Sequence, residues 1–596
     1  MPDEGTCILR HFRVLRPYVG QRVWRYAIGI LALLVADGAQ LVLPQVLERF
    51  VNTVESTGVV LSDIAPYALA LVALAIVVFG SRFGWRMMVQ GASRLIDYDL
   101  RRDLFNQFTR LAPNYFNHKK TGDLMAHATN DLQAVRMALN MGIVTAADAA
   151  FLITSTLIIM FSTISPSLSA WALAPLPLAA IVTALLGRQI HARFLEVQNQ
   201  FSSLSDHVQE NFAGIRIVKT FVQEDNELSR LTGESREYFR RNMHLVRVWA
   251  LIDPLTDFIV GTAFCVALAY GGILVIQGSI TLGAFVAFTS YLALLAWPMQ
   301  ALGFLINMIQ RAGASLERLE AIYKETPEIA EDPHPISPSG EVRGDIEFRD
   351  VTFVYPGTNR QALKDVSFHI EAGSTVAFVG RTGNGKSTIL NLILRVFDPP
   401  VGSVFLDGID VRKLPLGLLR ESIGYVPPDN FLFSETISQN IAFGVDDLPE
   451  ERIEEMAEIA QVKDNILDFP LGFHTMLGER GVTLSGGQKQ RVSIARALAK
   501  DPPVLILDDS FSAVDTATEE AILDRLWRVR EGRTTILVAH RISTIKRSDH
   551  IFVVEDGRIV EDGRHEDLVA RGGLYDSMHQ RQLLEDRVSG SREVGA

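Results

Sequence analysis

The chain has 596 residues, which is more than one domain usually holds, so we expect at least two domains. Its net charge of −12 argues against a nucleic-acid partner, because such partners usually require a basic face. The mean hydropathy of +0.17 is high for a soluble protein, and the apolar residues are concentrated before about residue 310. The two cysteines, Cys7 and Cys265, provide neither metal-site spacing nor a disulfide framework.

The first segment, residues 1–22, is basic and amphipathic and has no apolar core of the kind found in signal peptides. Its arginines, among them Arg10, Arg13 and Arg16, alternate with large apolar residues. This pattern predicts a helix that lies at the cytoplasmic surface of a membrane.

Six stretches have the length of roughly 20 mostly apolar residues that a membrane-spanning helix needs. These predicted spans are residues 24–47, 64–85, 139–163, 167–187, 249–276 and 281–308. The segments 53–63, 164–168 and 277–280 contain no lysine or arginine, whereas the opposite ends of the spans are rich in arginine. The distribution therefore places both termini in the cytoplasm.

Long polar segments separate spans two and three, and again spans four and five. We interpret them as helices that continue into the cytoplasm and are interrupted at Pro113–Phe116 and at Ala213-Gly214. Their similar lengths favour a pair of stalks, although two ordinary soluble hairpins remain an alternative. The predicted stalk tips are Pro113–Thr121 and Phe212–Phe221.

Polar residues within the spans have two interpretations. They line a cavity that accepts an amphipathic, cationic compound, or they form hydrogen bonds between helices. Asp253 and Asp257, one helical turn apart, are the pair we expect to line a cavity. The set, with two neighbouring aromatic residues, is Asp37, Gln40, Asp148, Asp253, Asp257, Trp297, Gln300, Phe304 and Asn307.

After a proline-rich linker the pattern changes to short aliphatic strands that alternate with helices, which is typical of an α/β sheet. A strand at 375–379 leads into a complete phosphate-binding loop that opens a helix, and this context is the one the motif requires. Backbone amides of such a loop bind phosphate oxygens, its lysine reaches the β and γ phosphates, and its serine binds Mg²⁺. The loop and the first helical residue are Gly380, Arg381, Thr382, Gly383, Asn384, Gly385, Lys386, Ser387 and Thr388.

Two further motifs follow. Leu505–Asp509 is an aliphatic strand that ends on two carboxylates, of which Asp508 is predicted to serve Mg²⁺ and Asp509 to occupy the position of the catalytic base. Leu484–Gln488 precedes a segment with high helix propensity, and Ser485 is a predicted N-cap whose following glycines expose amides to a phosphate.

The order of these motifs, followed by Ser512–Asp515 and His540, resembles that of ATP-binding cassette (ABC) domains. Thr475–Gly481 resembles a loop specific to exporters of this family. Gly122–Leu124, Gly214–Lys219 and Ala312–Arg318 resemble the membrane domain of half-size exporters of the type IV fold, also called the type I exporter fold, whose members include multidrug and lipid exporters. The resemblance covers almost the whole chain.

The resemblance implies the fold, the cofactors and the assembly. The expected fold is a helical six-span domain followed by an α/β P-loop ATPase domain. Two ATP molecules, with Mg²⁺, are expected at the interface of a head-to-tail dimer, each held by the phosphate loop of one chain and by the segment matching Ser485, Gly486, Gly487 and Gln488 of the other. Tyr355 matches the aromatic residue that stacks on adenine, and His540 the residue that holds the γ-phosphate.

With the resemblance, the chain divides into five predicted parts. They are an interfacial helix (1–22), a transmembrane domain (23–320), a linker (321–344), a nucleotide-binding domain (345–580) and a tail (581–596).

The chain departs from the family pattern at two places in one half-site. Asp509 stands where the family has glutamate, and Pro428 stands where it has a glutamine that helps to hold Mg²⁺ and the attacking water. Asp429 is a candidate substitute for that glutamine. This combination resembles the degenerate-site subunit of heterodimeric exporters.

These resemblances predict an ATP-driven exporter subunit in the bacterial inner membrane, paired with a different chain that has an intact glutamate. A homodimer with two slow sites, or an ATP-switched regulatory or channel-like protein, remains an alternative. The substrate is not determined by the sequence.

Overall fold

The computed structural model describes residues 11–56, 60–478 and 484–593. The start of the predicted N-terminal helix and the end of the Thr475–Gly481 loop, Glu479 to Gly481, lie outside the described residues. By their internal contacts, the residues form two units, one comprising residues up to 109 and 119–325, the other residues 110–118 and 326 onwards.

The first unit is helical throughout its described length, apart from short connections. Its α-helices, in chain order, are Arg16–Gly20, Val23–Glu55, Leu61–Trp85, Gly91–Arg110, Thr121–Ala126, Leu132–Met137, Ile143–Ile159, Pro166–Leu173, Leu176–Ala213, Ile215–Thr220, Glu224–Trp249, Ile252–Ile276, Leu282–Leu294 and Ala296–Lys324. Several of them are joined without a break by short π-helical turns, at Arg86–Gln90, His127–Asp131 and Ala138–Gly142, and a further π-helical turn, Met160–Ile164, ends the helix before Ser165.

Four helices of the described residues are long and apolar enough to cross a membrane, and they contain the predicted spans one, two, three and five. These helices are Val23–Glu55, Ser62–Arg110, Thr121–Ile164 and Glu224–Ile276. The predicted spans four and six are each divided between two helices, with breaks next to Pro175 and at Leu295. The total of six spans, and the cytoplasmic position of the termini, therefore remain predictions.

The long helices continue well beyond their apolar stretches, as the stalk prediction requires. Ser62–Arg110 has 49 residues, which corresponds to about 70 Å at the α-helical rise, more than twice the thickness of a bilayer core. Short helices form at both predicted interruptions, Pro113–Asn117 and Ile215–Thr220.

The N-terminal segment packs on protein over its described residues. Leu15 is buried in a cluster with Leu319 and Ile322, and the Tyr18 hydroxyl donates to Asp103 at 2.8 Å. Part of the apolar face that we assigned to the membrane surface is therefore covered by the first unit itself. The position of this segment relative to a membrane stays a prediction.

The second unit contains two sheets and confirms the predicted α/β domain. The strands are β1 (Ile346–Val354), β2 (Gln361–Ile370), β3 (Thr375–Val379), β4 (Val404–Leu406), β5 (Ile409–Asp410), β6 (Ile423–Val426), β7 (Val504–Asp508), β8 (Thr534–Val538), β9 (His550–Glu555) and β10 (Arg558–Gly563). The antiparallel sheet, which the sequence did not predict separately, has the order β2-β1-β4-β5, and the larger sheet has the order β10-β9-β3-β8-β7-β6. The strands from β9 to β6 are parallel.

The parallel strands are covered on both faces, which explains their continuous aliphatic sequences. In β7, Val504 and Ile506 join the core that contains the antiparallel sheet, whereas Leu505 and Leu507 join a second core on the opposite face. The helices of this unit are Pro113–Asn117, Lys386–Ile393, Leu416–Glu421, Ile437–Ile441, Glu450–Ile459, Lys463–Leu467, Gly486–Ala499, Thr516–Val529, Ile542–Ile545, His565–Arg571 and Leu574–Glu593.

The segment between the predicted domains has no regular structure from residue 325 to 345. The preceding helix ends at Lys324, four residues beyond the predicted boundary of the membrane domain. At the other end, the helix Leu574–Glu593 runs through the predicted boundary at residue 580, so its residues form one element.

Candidate functional site

The predicted nucleotide residues surround one cavity at the carboxyl ends of the parallel strands. Strands β3, β6, β7 and β8 are neighbours in register, so the segments that follow them meet at one edge of the sheet. The cavity has a volume of about 510 Å³. Of the predicted residues it is lined by Tyr355, Thr382, Gly383, Gly385, Lys386, Ser387, Thr388, Asp508, Asp509 and His540.

The phosphate-binding loop has the backbone that the motif requires. Gly385 has φ +101°, and a Cβ there would lie 2.8 Å from the carbonyl oxygen of Ala362. Gly383 has φ +85° and faces open space, so its backbone is accessible to a ligand in the cavity. These two positions form a cradle in which backbone amides can approach phosphate oxygens.

Lys386 is held close to its own loop. Its Nζ donates to the carbonyl oxygens of Gly380 at 2.8 Å and Arg381 at 3.0 Å, and the residue is only 6% exposed. Burial lowers the pKa of the Lys386 ammonium, while the nearby carboxylates Asp508 and Asp509 oppose that shift. A buried cation has lost most of its hydration, so it binds an anionic ligand strongly.

Asp508 has the properties of a cation ligand. It is 2% exposed, and its Oδ2 has no hydrogen-bond partner among the described residues. Burial raises the pKa of the Asp508 carboxyl, while the neighbouring Ser387 and Lys386 side chains oppose that shift. A buried carboxylate oxygen with a free acceptor position, beside a serine hydroxyl, fits Mg²⁺, which prefers such oxygen ligands.

Asp509 is fixed in position by its backbone. It adopts a left-handed conformation with φ +49°, and its N–H donates to the carbonyl of Val538 at 2.8 Å. A left-handed non-glycine residue directly after a central strand indicates a tightly determined turn. Asp509 is half-buried and lines the cavity.

The predicted adenine-stacking residue also lies in the cavity wall. The Tyr355 hydroxyl is 2.9 Å from the hydroxyl of Thr388 at the start of the loop helix. Its ring packs edge-to-face on Phe353 and Phe397. These contacts hold the ring in place at the cavity wall.

Three predicted loop residues shape the site without lining it. Asn384 donates from Nδ2 to the carbonyl of Val554 at 3.0 Å and accepts from the N–H of Gly557 at 3.2 Å, so it anchors the loop to the β9–β10 turn. Gly380 and Arg381 provide the carbonyls that hold Lys386.

The segment Ser485–Gln488 is not among the residues that line this cavity in the described part of the chain. Ser485 caps the helix Gly486–Ala499, as predicted: its hydroxyl accepts from the Gln488 N–H at 3.3 Å, and Gln488 Oε1 accepts from the Ser485 N–H at 2.9 Å. The start of this helix is therefore already capped in the single chain, and it does not line the cavity that contains Lys386.

Pro428 and the neighbouring Asp429 differ in their position relative to the cavity. Pro428 lines it, whereas Asp429, which we considered as a substitute for the missing glutamine, is exposed and is not among the lining residues. In this conformation the cavity wall therefore has a proline, without a side-chain acceptor, where the family has an amide.

Several lining residues were missed by the sequence reasoning. Arg360 and Lys364 bring two cationic side chains to the cavity from the start of β2, and Asp556 comes from the turn after β9. No local motif marks them, because their position depends on the pairing of distant strands. The sequence offered only weak signals for them. Arg360 and Lys364 lie within ten residues after Tyr355, and Asp556 precedes Gly557 in a turn between strands.

Comparison with known proteins agrees with this architecture. Residues 26–299 match the family model described as the ABC transporter transmembrane region, and residues 363–512 match the model described as ABC transporter. A solved structure, of a bacterial Atm1-family ABC exporter with ATP bound, superposes with a TM-score of 0.77 at 29% identity, over 96% of this chain and 99% of that chain.

Three curated relatives are similar over most of their length. The probable multidrug resistance ABC transporter ATP-binding/permease protein YheI of Bacillus subtilis is 37% identical over 94% of this chain and 95% of its own. The multidrug resistance-like ATP-binding protein MdlA of Escherichia coli is 38% identical over 95% of both chains. The ATP-dependent lipid A-core flippase of Syntrophus aciditrophicus is 34% identical over 88% of this chain and 87% of its own.

A helical membrane region joined to a P-loop domain whose cavity carries Lys386, Ser387 and Asp508 defines an ATP-hydrolysing transporter. The chain belongs to the ABC transporter family, and it is a half-size exporter, with one membrane domain and one ATPase domain.

Proposed function

We propose that this exporter subunit works in a heterodimer, in which its own ATP site is slow and its Ser485–Gln488 segment completes the faster site of the partner. The observation that carries the proposal is the shortened carboxylate at Asp509, at the wall of a cavity that also contains Lys386, Ser387 and Asp508. A catalytic base must lie within hydrogen-bonding distance of the proton it accepts.

The residues of the cavity have separate roles in this proposal. Lys386 and the loop amides bind the phosphates of ATP, and Tyr355 stacks on the adenine. Ser387 and Asp508 hold Mg²⁺, which, when bound, neutralises charge on the phosphates. Because Asp509 is one methylene shorter than glutamate, the attacking water is poorly oriented, and retraction by about 1 Å costs on the order of 10²-fold in rate. His540 is retained and holds the γ-phosphate, so the site still binds ATP well.

The intact segment Ser485–Gln488 supports the proposal that the two chains have different roles in hydrolysis. Its cap is formed in the isolated chain, and it presents two glycines at the start of a 14-residue helix. A helix start of this kind attracts a phosphate from another chain. The partner that we infer has a glutamate at the position of Asp509.

The proposed substrate is an amphipathic, drug-like or lipid-like compound moved by alternating access across the bacterial inner membrane. Relatives named for multidrug resistance and for lipid A-core transport support this class. ATP binding closes the dimer of ATPase domains, and hydrolysis at the partner's type of site resets it, while ATP retained near Lys386 keeps the domains partly joined. The chain is oriented with both termini and the ATPase domain in the cytoplasm.

The test begins with ATP hydrolysis by the purified chain alone, which we expect to be slow. Turnover comparable to that of ordinary transport ATPases would contradict the slow-site proposal. Co-expression with homologous half-transporters from neighbouring genes, followed by pull-down, distinguishes a heterodimer from the equally open homodimer with two slow sites.

In the assembled transporter, Ser485→Arg should abolish most of the ATPase activity, since it blocks the phosphate-binding helix start that serves the partner. The matched variant Lys489→Arg, one helical turn further on, should retain activity. Full activity of Ser485→Arg would show that this segment does not serve an active site. ATP-dependent accumulation in inverted vesicles tests transport itself, and its absence would favour the regulatory alternative.

A further inference from the structure

The segment that carries His540 lies between a strand and a short helix and is held by side chains from two other elements. β8 ends at Val538, and the helix Ile542–Ile545 begins two residues after His540. His540 itself is exposed toward the cavity. Its backbone groups are outside the sheet ladder and need partners elsewhere.

Gln582, on the helix Leu574–Glu593, supplies two of those partners. Its Nε2 donates to the carbonyl oxygen of His540, and its Oε1 accepts from the N–H of Ile542 at 2.8 Å. One planar amide thus fixes the backbone on both sides of Arg541. Gln582 is not among the residues that line the ATP cavity.

Glu519 holds the same segment from the opposite side. It lies in the first turn of the helix Thr516–Val529 and is 1% exposed. Its carboxylate accepts from Arg541 Nη1 at 2.7 Å and from the hydroxyl of Thr544. A carboxylate buried to this extent depends on its donors, so the contact constrains both partners. Arg541 also donates to the carbonyl of Val514 at 3.3 Å.

We propose that Gln582 and Glu519 are positioning residues for His540 and hold its imidazole at the place where it recognises the γ-phosphate. Glu519 and His540 line a second, smaller cavity of about 170 Å³, whereas neither Glu519 nor Gln582 is among the residues that line the larger cavity. The inference rests on the proposed role of His540. Its consequence is that the C-terminal helix takes part in distinguishing ATP from ADP.

The measurement is equilibrium binding of a non-hydrolysable ATP analogue, AMP-PNP, and of ADP, each with Mg²⁺, to the purified full-length chain. The preference is the ratio of the two dissociation constants, and it does not depend on whether the site hydrolyses ATP. Gln582→Ala and Glu519→Gln should each reduce the preference at least about threefold, the size of one or two lost hydrogen bonds. The matched controls Gln580→Ala and Glu520→Gln, at exposed neighbouring positions, should retain it.

A double-mutant cycle shows whether the effect passes through His540. His540→Ala should remove most of the preference, and Gln582→Ala should add nothing further in that background. If His540→Ala lowers the preference but Gln582→Ala and Glu519→Gln do not, the positioning role is wrong and the role of His540 stands. If Gln582→Ala has the same effect with and without His540, it acts on general structure and the inference is wrong.

If His540→Ala leaves the preference unchanged, both the role of His540 and the positioning of it are overturned. If Glu519→Gln fails to fold, Glu519→Asp and Gln582→Ala are the decisive variants. Glu519→Asp keeps the buried charge, and Gln582 is uncharged and partly exposed.

Discussion

At the scale of single residues, the proposed slow ATP site depends on one side chain, Asp509. Replacing glutamate by aspartate withdraws the carboxylate by about 1.5 Å, the length of one carbon–carbon bond. The backbone at Asp509 has a left-handed conformation and is hydrogen-bonded to the Val538 carbonyl. Pro428 adds to the loss, because it lines the cavity without a side-chain acceptor.

Asp509→Glu should therefore accelerate ATP hydrolysis by the purified chain by at least about tenfold, since it restores the reach of the base. The rate is measured as phosphate release at saturating ATP. Asp509→Asn is the control: it keeps the length of aspartate and removes the base, and its rate should not rise. An unchanged rate in Asp509→Glu would contradict the assignment of Asp509 as the residue that slows the site.

At the scale of elements, the stalk hairpin formed by Leu176–Ala213 and Glu224–Trp249 is closed by a histidine between two carboxylates. His207 is 6% exposed; its Nε2 is 2.8 Å from Glu227 and its Nδ1 is 3.2 Å from Glu234. Asn211 also donates to Glu227. These contacts, the Glu227 hydrogen bond foremost, raise the pKa of His207 above its ordinary value of 6.5.

This arrangement predicts a hairpin that loosens as the pH rises. Because the folded pKa of His207 is raised, its stabilising contribution is fully present below the unfolded pKa and is lost as the pH passes the folded value. Amide hydrogen exchange in the two helices, normalised to intrinsic rates, should become faster from pH 6 to pH 9. In His207→Gln that dependence should disappear, whereas His191→Gln, on the same helix, should retain it. A pH-independent hairpin in the wild type would contradict the prediction.

A second interhelical contact joins Thr121–Ile164 to Ala296–Lys324 through Asp131. Its carboxylate accepts from Ser315 Oγ at 2.9 Å and from Arg318 Nε at 3.0 Å, and it lies 2.7 Å from His127 Nδ1. Burial by itself would raise the pKa of Asp131, but the donors outweigh it and lower that pKa. The contribution of Asp131 to stability is therefore present above about pH 4 and is lost as the pH falls through its lowered pKa.

Asp131→Asn should destabilise the first unit by about 1–3 kcal/mol, since it removes the charge from a buried acceptor of Ser315 and Arg318. The measurement is the apparent unfolding temperature of the detergent-solubilised chain. Asp123→Asn, at an exposed position of the same continuous helix, is the matched control and should leave that temperature unchanged. Equal effects of the two variants would show that the network is not a specific contact.

At the scale of the whole molecule, the membrane unit brings together acidic residues that the sequence did not pair. Asp253 and Asp257, expected to line a cavity, are exposed in this chain, and the side chain of Gln300 lies outside the described residues. Asp37 is 3% exposed and lies beside Asp148 of another helix, and its Oδ2 has no hydrogen-bond partner among the described residues. Arg82 donates to Gln40 on the helix that carries Asp37, at 3.2 Å.

If the exported compounds are cationic, Asp148→Asn should reduce their efflux roughly tenfold, equivalent to about 1.4 kcal/mol, and leave neutral compounds less affected. Uptake of both kinds of compound into inverted vesicles provides the comparison, with Asp257→Asn measured in parallel. If only Asp257→Asn reduced efflux, the cavity would instead be lined by Asp253 and Asp257, the pair that the sequence predicted. No change in either variant would remove the support for a cationic substrate.

The local motifs were predictable because each depends on residues near one another in the sequence. The loop Gly380–Ser387 follows its strand directly, and Ser485 caps the helix that follows it. The interruptions at Pro113 and Gly214 were likewise visible, since proline and glycine act on the local backbone. The breaks near Pro175 and at Leu295 were missed, because hydropathy alone predicts a continuous apolar helix there.

The sequence by itself determined that this chain is a membrane protein with an ATPase domain, and which residues form the phosphate-binding loop. Only the tertiary structure brought Arg360 and Lys364 to that loop, placed Pro428 rather than Asp429 in the cavity wall, and linked Asp37 to Asp148. It also showed that Gln582 and Glu519 hold the segment of His540. The physical reason is that these contacts join residues far apart in the chain, and their partners are selected by strand order and helix packing, which no local pattern encodes.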